Sequence, residues 1–224
     1  MKTIDLSHRI YDGLTTHPSH PRVVINNFVD HAFTAPRYQP PCKGFATKQL
    51  IISDHAGTHV DAPTHFHVNS ESIDQQSLDK YFGQAFLLDV SGKELRRPVD
   101  LELVEQTLKR DGLKVRRGDI VLIHAWSGRW DDPDFHNASG LALDAARWLT
   151  EQGIKAVGID LGNIEDNADM TRCVHMFLLE KKVPIYENLA NLSTLPVKRF
   201  LFAGFPLFLE GCTGSPVRAV ALID

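Results

Sequence analysis

From His55 to His65 the chain reads His-Ala-Gly-Thr-His-Val-Asp-Ala-Pro-Thr-His, and this stretch restricts the fold more than any other. The four-residue spacing of His55 and His59 would set both on one face of a helix. Gly57, Thr58 and Val60 are poor helix formers, however, and Pro63 inside a helix would cost about 3 kcal/mol. A turn leading into a strand satisfies the sequence instead. On a strand, alternate side chains share a face, so His59 and Asp61 project together, while Gly57 lets the backbone fold His55 back toward them. His65, beyond the turn at Pro63, approaches the same point from the side.

Such a group is either a set of buried, hydrogen-bonded histidines, a set of solvated loop histidines, or a cation site. Protonated imidazoles packed this closely repel one another, and a bound cation removes that difficulty by making the neutral ligands stable. Nitrogen and oxygen donors without thiolate suit Zn, Mn or Fe better than a structural cysteine-type zinc site.

The rest of the chain alternates strand-like and helical segments. Strand patterns run from Ala46 to Ile52, leading into the histidine stretch, and over Phe86–Val90, Asp119–His124, Ala156–Asp160, Val183–Tyr186, Phe200–Gly204 and Ala219–Ile223. The apolar run Ile120–Ile123 is typical of a strand covered on both faces. Amphipathic helices follow Asp100, an N-cap candidate, and span about Leu143 to Gln152 and His175 to Lys181, giving a βαβ rhythm with an at least partly parallel sheet. Residues 73–82 read as a loop with a helical turn. With 224 residues and 43% hydrophobic content, the chain can bury one core, and residues 1–224 read as one α/β domain. The first 45 residues, broken by Gly13, Pro18, Pro21, Pro36, Pro40 and Pro41, read as a loop over the site or an arm reaching another subunit. His17, His20 and His31 within it read as solvated loop histidines.

A formal charge of -4, with no Lys/Arg run longer than two residues, excludes the usual nucleic-acid footprint and favours a small-molecule substrate. No segment approaches a membrane span, and the first residues have no apolar leader core. Three widely spaced cysteines, Cys42, Cys173 and Cys212, fit a reducing compartment, so a cytoplasmic protein is expected. Ser127, Ser215 and the cysteines lie in no nucleophile elbow. Trp126, Trp130, Phe66 and Phe33 are candidates for a pocket wall.

The pattern His55-x-Gly57-Thr58-His59-x-Asp61-x-Pro63-x-His65 resembles the signature of the cyclase family of metal-dependent hydrolases, which includes bacterial kynurenine formamidase and isatin hydrolase. Gly140-Leu141 through Leu149, Gly158-Ile159-Asp160, Glu187-Asn188-Leu189 and Gly214 through Ala219 are similar to further family segments, in the same order. The resemblance implies an α/β fold of the swivelling β/β/α type, a mixed sheet with few helices, and a homodimer or homotetramer joined through N-terminal segments. It makes His55, His59 and Asp61 ligands of one metal, with Asp61 bridging to a second held by His175 and Glu187, and gives His65 the proton-transfer role. The segment Trp-Pro-Gly-Asp of formamidases is replaced by Thr16-His17-Pro18-Ser19-His20-Pro21, and the His-His pair before the second metal site by Cys173-Val174-His175.

The activity expected is hydrolysis of a carbon–nitrogen amide bond in a small arylformamide or cyclic amide by metal-activated water, with Zn first and Mn second as the metal and one or two ions bound. His65 carries the proton from water to the leaving nitrogen, using an imidazole pKa near neutrality. The alternative is a lactone hydrolase or a non-hydrolytic cyclase or dehydratase.

Overall fold

The apolar runs separated by amphipathic helices become the middle of one nine-stranded sheet in the computed structural model, which describes residues 1–223. In chain order the elements are β1 (Lys2–Asp5), β2 (Val24–Val29), α1 (His31–Thr34), β3 (Thr47–Ile51), β4 (His59–Asp61), β5 (Phe82–Asp89), α2 (Leu101–Arg110) and β6 (Ile120–His124). They continue with α3 (Leu143–Glu151), β7 (Ala156–Ile159), α4 (Cys173–Glu180), β8 (Ile185–Glu187), β9 (Arg199–Ala203), β10 (Gly214–Pro216) and β11 (Val220–Ile223). The sheet order is β1-β11-β9-β5-β6-β7-β8-β4-β10. Strands β5 through β8 are parallel, each joined to the next through a helix, and every other pairing is antiparallel. This is the expected α/β fold with a mixed sheet and few helices.

Side chains alternate strictly across the parallel strands. Phe86, Leu88, Val121, Ile123, Val157, Ile159 and Ile185 face Val104, Leu108, Ala145, Ala146, Leu149, Val174 and Leu178 of the helices. The opposite set, Ala85, Leu87, Ile120, Leu122, Ala156 and Tyr186, packs against Val60, Tyr81, Phe200, Phe202 and Ala221, which the curl of the sheet brings over them. Asp100 caps α2 as its position suggests, accepting from the Leu103 N–H at 2.8 Å. Among the described residues no helix is long and apolar enough to cross a membrane.

Strand β3 exists, but it does not enter the large sheet: it pairs with β2 in a separate two-stranded ribbon, and all five of its residues are exposed. Phe28, Phe33, Leu50 and Ile51 are exposed on and beside this ribbon. Strand β10 was not anticipated, because Gly-Ser-Pro has little strand propensity of its own; pairing with β4 makes the strand.

Candidate metal centre

Strand register brings the distant donors together. In the antiparallel pair of β4 and β8, His59 stands opposite Glu187 and Asp61 opposite Ile185, while β10 covers the other side with Gly214 opposite Asp61. All three strands are fully buried. Gly57, at φ +64°, turns the chain so that His55 folds back onto β4, as its position in the sequence suggests. Gly214 leaves the space the His55 ring needs: a Cβ there would lie 2.7 Å from His55 Cε1. His175 enters from the buried side of α4.

Each of three imidazoles has its outer nitrogen committed as a donor. His59 Nδ1 donates to its neighbour Gly57 O at 2.9 Å. His175 Nδ1 donates to Glu165 Oε1 at 2.6 Å, and the other oxygen of that carboxylate accepts the Val174 and His175 N–H groups at 2.9 Å, capping α4. Thr213 spends its hydroxyl hydrogen on Asp54 Oδ2 at 2.8 Å and so can only accept from His55 Nε2, also at 2.8 Å. The inner nitrogens therefore face two carboxylates. His55 Nδ1 is 2.8 Å from Asp61 Oδ1, His59 Nε2 is 3.4 Å from Asp61 Oδ1 and 3.5 Å from Glu187 Oε2, and His175 Nε2 is 3.2 Å from Glu187 Oε1. Asp61 is 0% exposed, and its Oδ2 has no hydrogen-bond partner among the described residues.

Two carboxylates buried together call for positive charge beside them, because little at such depth screens their repulsion. The titration of the groups carries the same demand. Burial opposes the charged forms of His59 and His175, yet Glu187 and Asp61 outweigh it and raise both imidazoles, His175 well above its usual range. Burial also opposes charge on Asp61 and Glu187, but the imidazoles hold Asp61 well below the usual carboxylate range and Glu187 at about 2. A divalent cation meets that demand with one charge centre, and the nitrogen–carboxylate donor set suits it.

All six residues singled out from the sequence, His55, His59, Asp61, His65, His175 and Glu187, converge here. Donor atoms within 4.8 Å of one another form two sets sharing Asp61, one of His55, Asp61 and His65 and one of His59, Asp61 and Glu187. Register sets His59 opposite Glu187 as well as beside Asp61. His65 stacks on His55 with ring centroids 4.0 Å apart, and burial pushes it down to about 4 rather than leaving it near neutrality. It is thus a neutral base at pH 7.

The donors open onto a cavity of about 220 Å³ lined by His17, His20, Phe66, Asn163, Arg172 and Asn188, among others. His17 and His20 are therefore not solvated loop residues: the proline-broken segment folds back over the centre, placing the His20 ring 5.8 Å from His55. Phe66 does form part of the wall. Trp126 and Trp130 line a neighbouring cavity of about 900 Å³ instead, and Phe33 lies exposed near the ribbon. Sequence reading missed Glu165, Thr213 and Asp54, which touch the imidazoles only through the tertiary fold.

Comparison with known proteins identifies the family. The Cyclase family model matches residues 4–166. The kynurenine formamidase of Bacillus thuringiensis subsp. konkukian (strain 97-27) is 30% identical over 177 residues, covering 77% of this chain and 78% of that one. Isatin hydrolase A from Labrenzia aggregata, solved with benzyl benzoate, shares the fold with a TM-score of 0.83 at 21% identity, covering 99% of this chain and 93% of that one. A structure described as a potential metal-dependent hydrolase with cyclase activity superposes with a TM-score of 0.72 at 23% identity, covering 98% of this chain and 96% of that chain. With its signature residues gathered at one buried centre and the family model matching most of its length, the chain belongs to the cyclase family.

Proposed function

We infer that the protein is a metal-dependent hydrolase that cleaves the carbon–nitrogen amide bond of a small arylformamide or cyclic amide. The observation that carries this reading is the convergence of three imidazole nitrogens on the buried carboxylates of Asp61 and Glu187. The kynurenine formamidase relatives and the isatin hydrolase fold neighbours support the bond type. His55, His59, Asp61, His175 and Glu187 would hold one or two divalent ions, Zn foremost and Mn next, with Asp61 shared. Bound there, a divalent ion supplies Lewis acidity and lowers the pKa of water to about 7.

The chain's own groups handle the protons and the orientation. Gly57 O, Glu165 and Thr213 fix the imidazoles, so the donors need no reorganisation during the reaction. His65, neutral and beside the donors, takes a proton from water as the water oxygen bonds to the carbonyl carbon. It returns that proton to the nitrogen as the carbon–nitrogen bond breaks, leaving a carboxylic acid and an amine. Phe66 and the folded-back segment carrying His17 and His20 form part of the cavity wall.

The exposed apolar residues of the β2–β3 ribbon support an inter-subunit arm in a homodimer or homotetramer. Free Cys42, Cys173 and Cys212 support a cytoplasmic setting. The test of the reaction replaces His65 with Ala and follows metal content together with turnover of N-formylkynurenine and isatin. The expected result is a loss of turnover by about 10²- to 10⁴-fold with metal retained. Loss of the metal itself would make His65 a ligand and contradict its role as proton carrier.

A further inference from the structure

Asn188 follows Glu187 directly, and its backbone is left-handed at φ +54°, a conformation asparagine adopts more readily than most residues other than glycine. Both of its main-chain groups are tied. The N–H donates to Leu161 O at 2.8 Å, and the carbonyl accepts from Thr58 Oγ1 at 2.5 Å. Thr58 Oγ1 is itself held by the His8 N–H at 2.8 Å. The turn is therefore pinned from two sides, and the side chain lines the cavity beside the metal donors.

That side chain is only 1% exposed, and its Oδ1 is buried without a hydrogen-bond partner among the described residues. An unpaired buried amide oxygen is costly, which marks a group kept for a ligand. A group that meets Oδ1 must be a hydrogen-bond donor, and Asn188 lines the same cavity as His59, His175 and Glu187.

We propose that Asn188 is a specificity-determining residue whose Oδ1 accepts the N–H of the scissile amide. It thereby selects amides that carry that hydrogen, formamides of primary amines and unsubstituted lactams, over N-substituted amides and lactones. This rests on the amide-hydrolase reading above. A lactone would set a ring oxygen against Oδ1, two acceptors facing each other in a water-poor site. An N-methyl amide would set a methyl group there and leave Oδ1 unpaired. Holding the N–H also fixes the rotation of the nitrogen and hence the direction of the lone pair that takes the proton.

The experiment compares kcat/KM for two matched pairs, isatin with N-methylisatin and formanilide with N-methylformanilide, in the metal-loaded wild type and in Asn188→Gly. Glycine adopts the left-handed backbone without strain, so the variant keeps the fold; metal content and thermal midpoint are measured alongside. The wild type should favour the N–H member of each pair by about tenfold or more. Asn188→Gly should bring the ratio within about threefold through loss on the N–H member, with metal content unchanged. A wild-type ratio retained in Asn188→Gly, or equal rates on both members in the wild type, would overturn the proposal alone. No turnover of any of the four compounds by the metal-loaded wild type would overturn the amide-hydrolase reading and this proposal with it.

Discussion

Each imidazole of the centre is told which nitrogen to offer by a group outside the cluster. For His59 the instruction is local, the carbonyl of Gly57 two residues away. For His55 and His175 it comes from Thr213 and Glu165. This explains what the sequence revealed at the residue scale. Spacing around Gly57 and the alternation of a strand exposed His55, His59 and Asp61, because those geometries are set within a few residues. His175 and Glu187 were found only through family resemblance, and Glu165, 2% exposed and ten residues before His175, carried no signal at all. Replacing Glu165 with Gln keeps the shape and removes the charge that holds the His175 N–H. Affinity for Zn, measured by competition with a chromogenic chelator, should weaken by about 10- to 100-fold. An unchanged affinity would show that His175 needs no such partner.

At the scale of elements, the centre is a product of register. Three short strands, β8, β4 and β10, set His59 against Glu187 and Gly214 against Asp61, and a slip of one residue would send every donor to the opposite face. The helices and the parallel strands were legible because amphipathic period and apolar runs declare themselves locally. Strand β10, strand β2 and the pairing of β2 with β3 were not, since nothing within a few residues declares them. Gly214→Ala would push a methyl group into His55 and the Val60 carbonyl. Urea unfolding should show a loss of about 1–3 kcal/mol, with reduced metal occupancy; wild-type stability and occupancy would refute the tight fit.

The segment carrying His8 makes a separate prediction about pH. Burial against Trp130, with ring centroids 3.9 Å apart, pushes His8 from 6.5 down to about 4. Between those values the unfolded chain binds the proton and the folded chain does not, so stability contributed by the neutral ring is complete above about 6.5 and drains away as pH falls toward 4. In metal-free protein, His8→Gln should flatten the fall in unfolding free energy between those two pH values. An identical slope in both proteins would show that His8 titrates normally.

For the whole molecule, one curled sheet does two jobs. Its helix-covered face and its inner face build the core, and the edge formed by β8, β4 and β10 concentrates three imidazoles and two carboxylates where water is scarce. That concentration of donors is stable only with positive charge among them, so the account stands or falls on the cation. The direct measurement is elemental analysis of the purified protein before and after dialysis against a strong chelator, with amide hydrolysis followed on the same samples. The account predicts at least one divalent ion per chain, loss of activity when it is stripped, and recovery on adding Zn or Mn. A chain that binds neither ion, or that hydrolyses amides equally well after stripping, would contradict it.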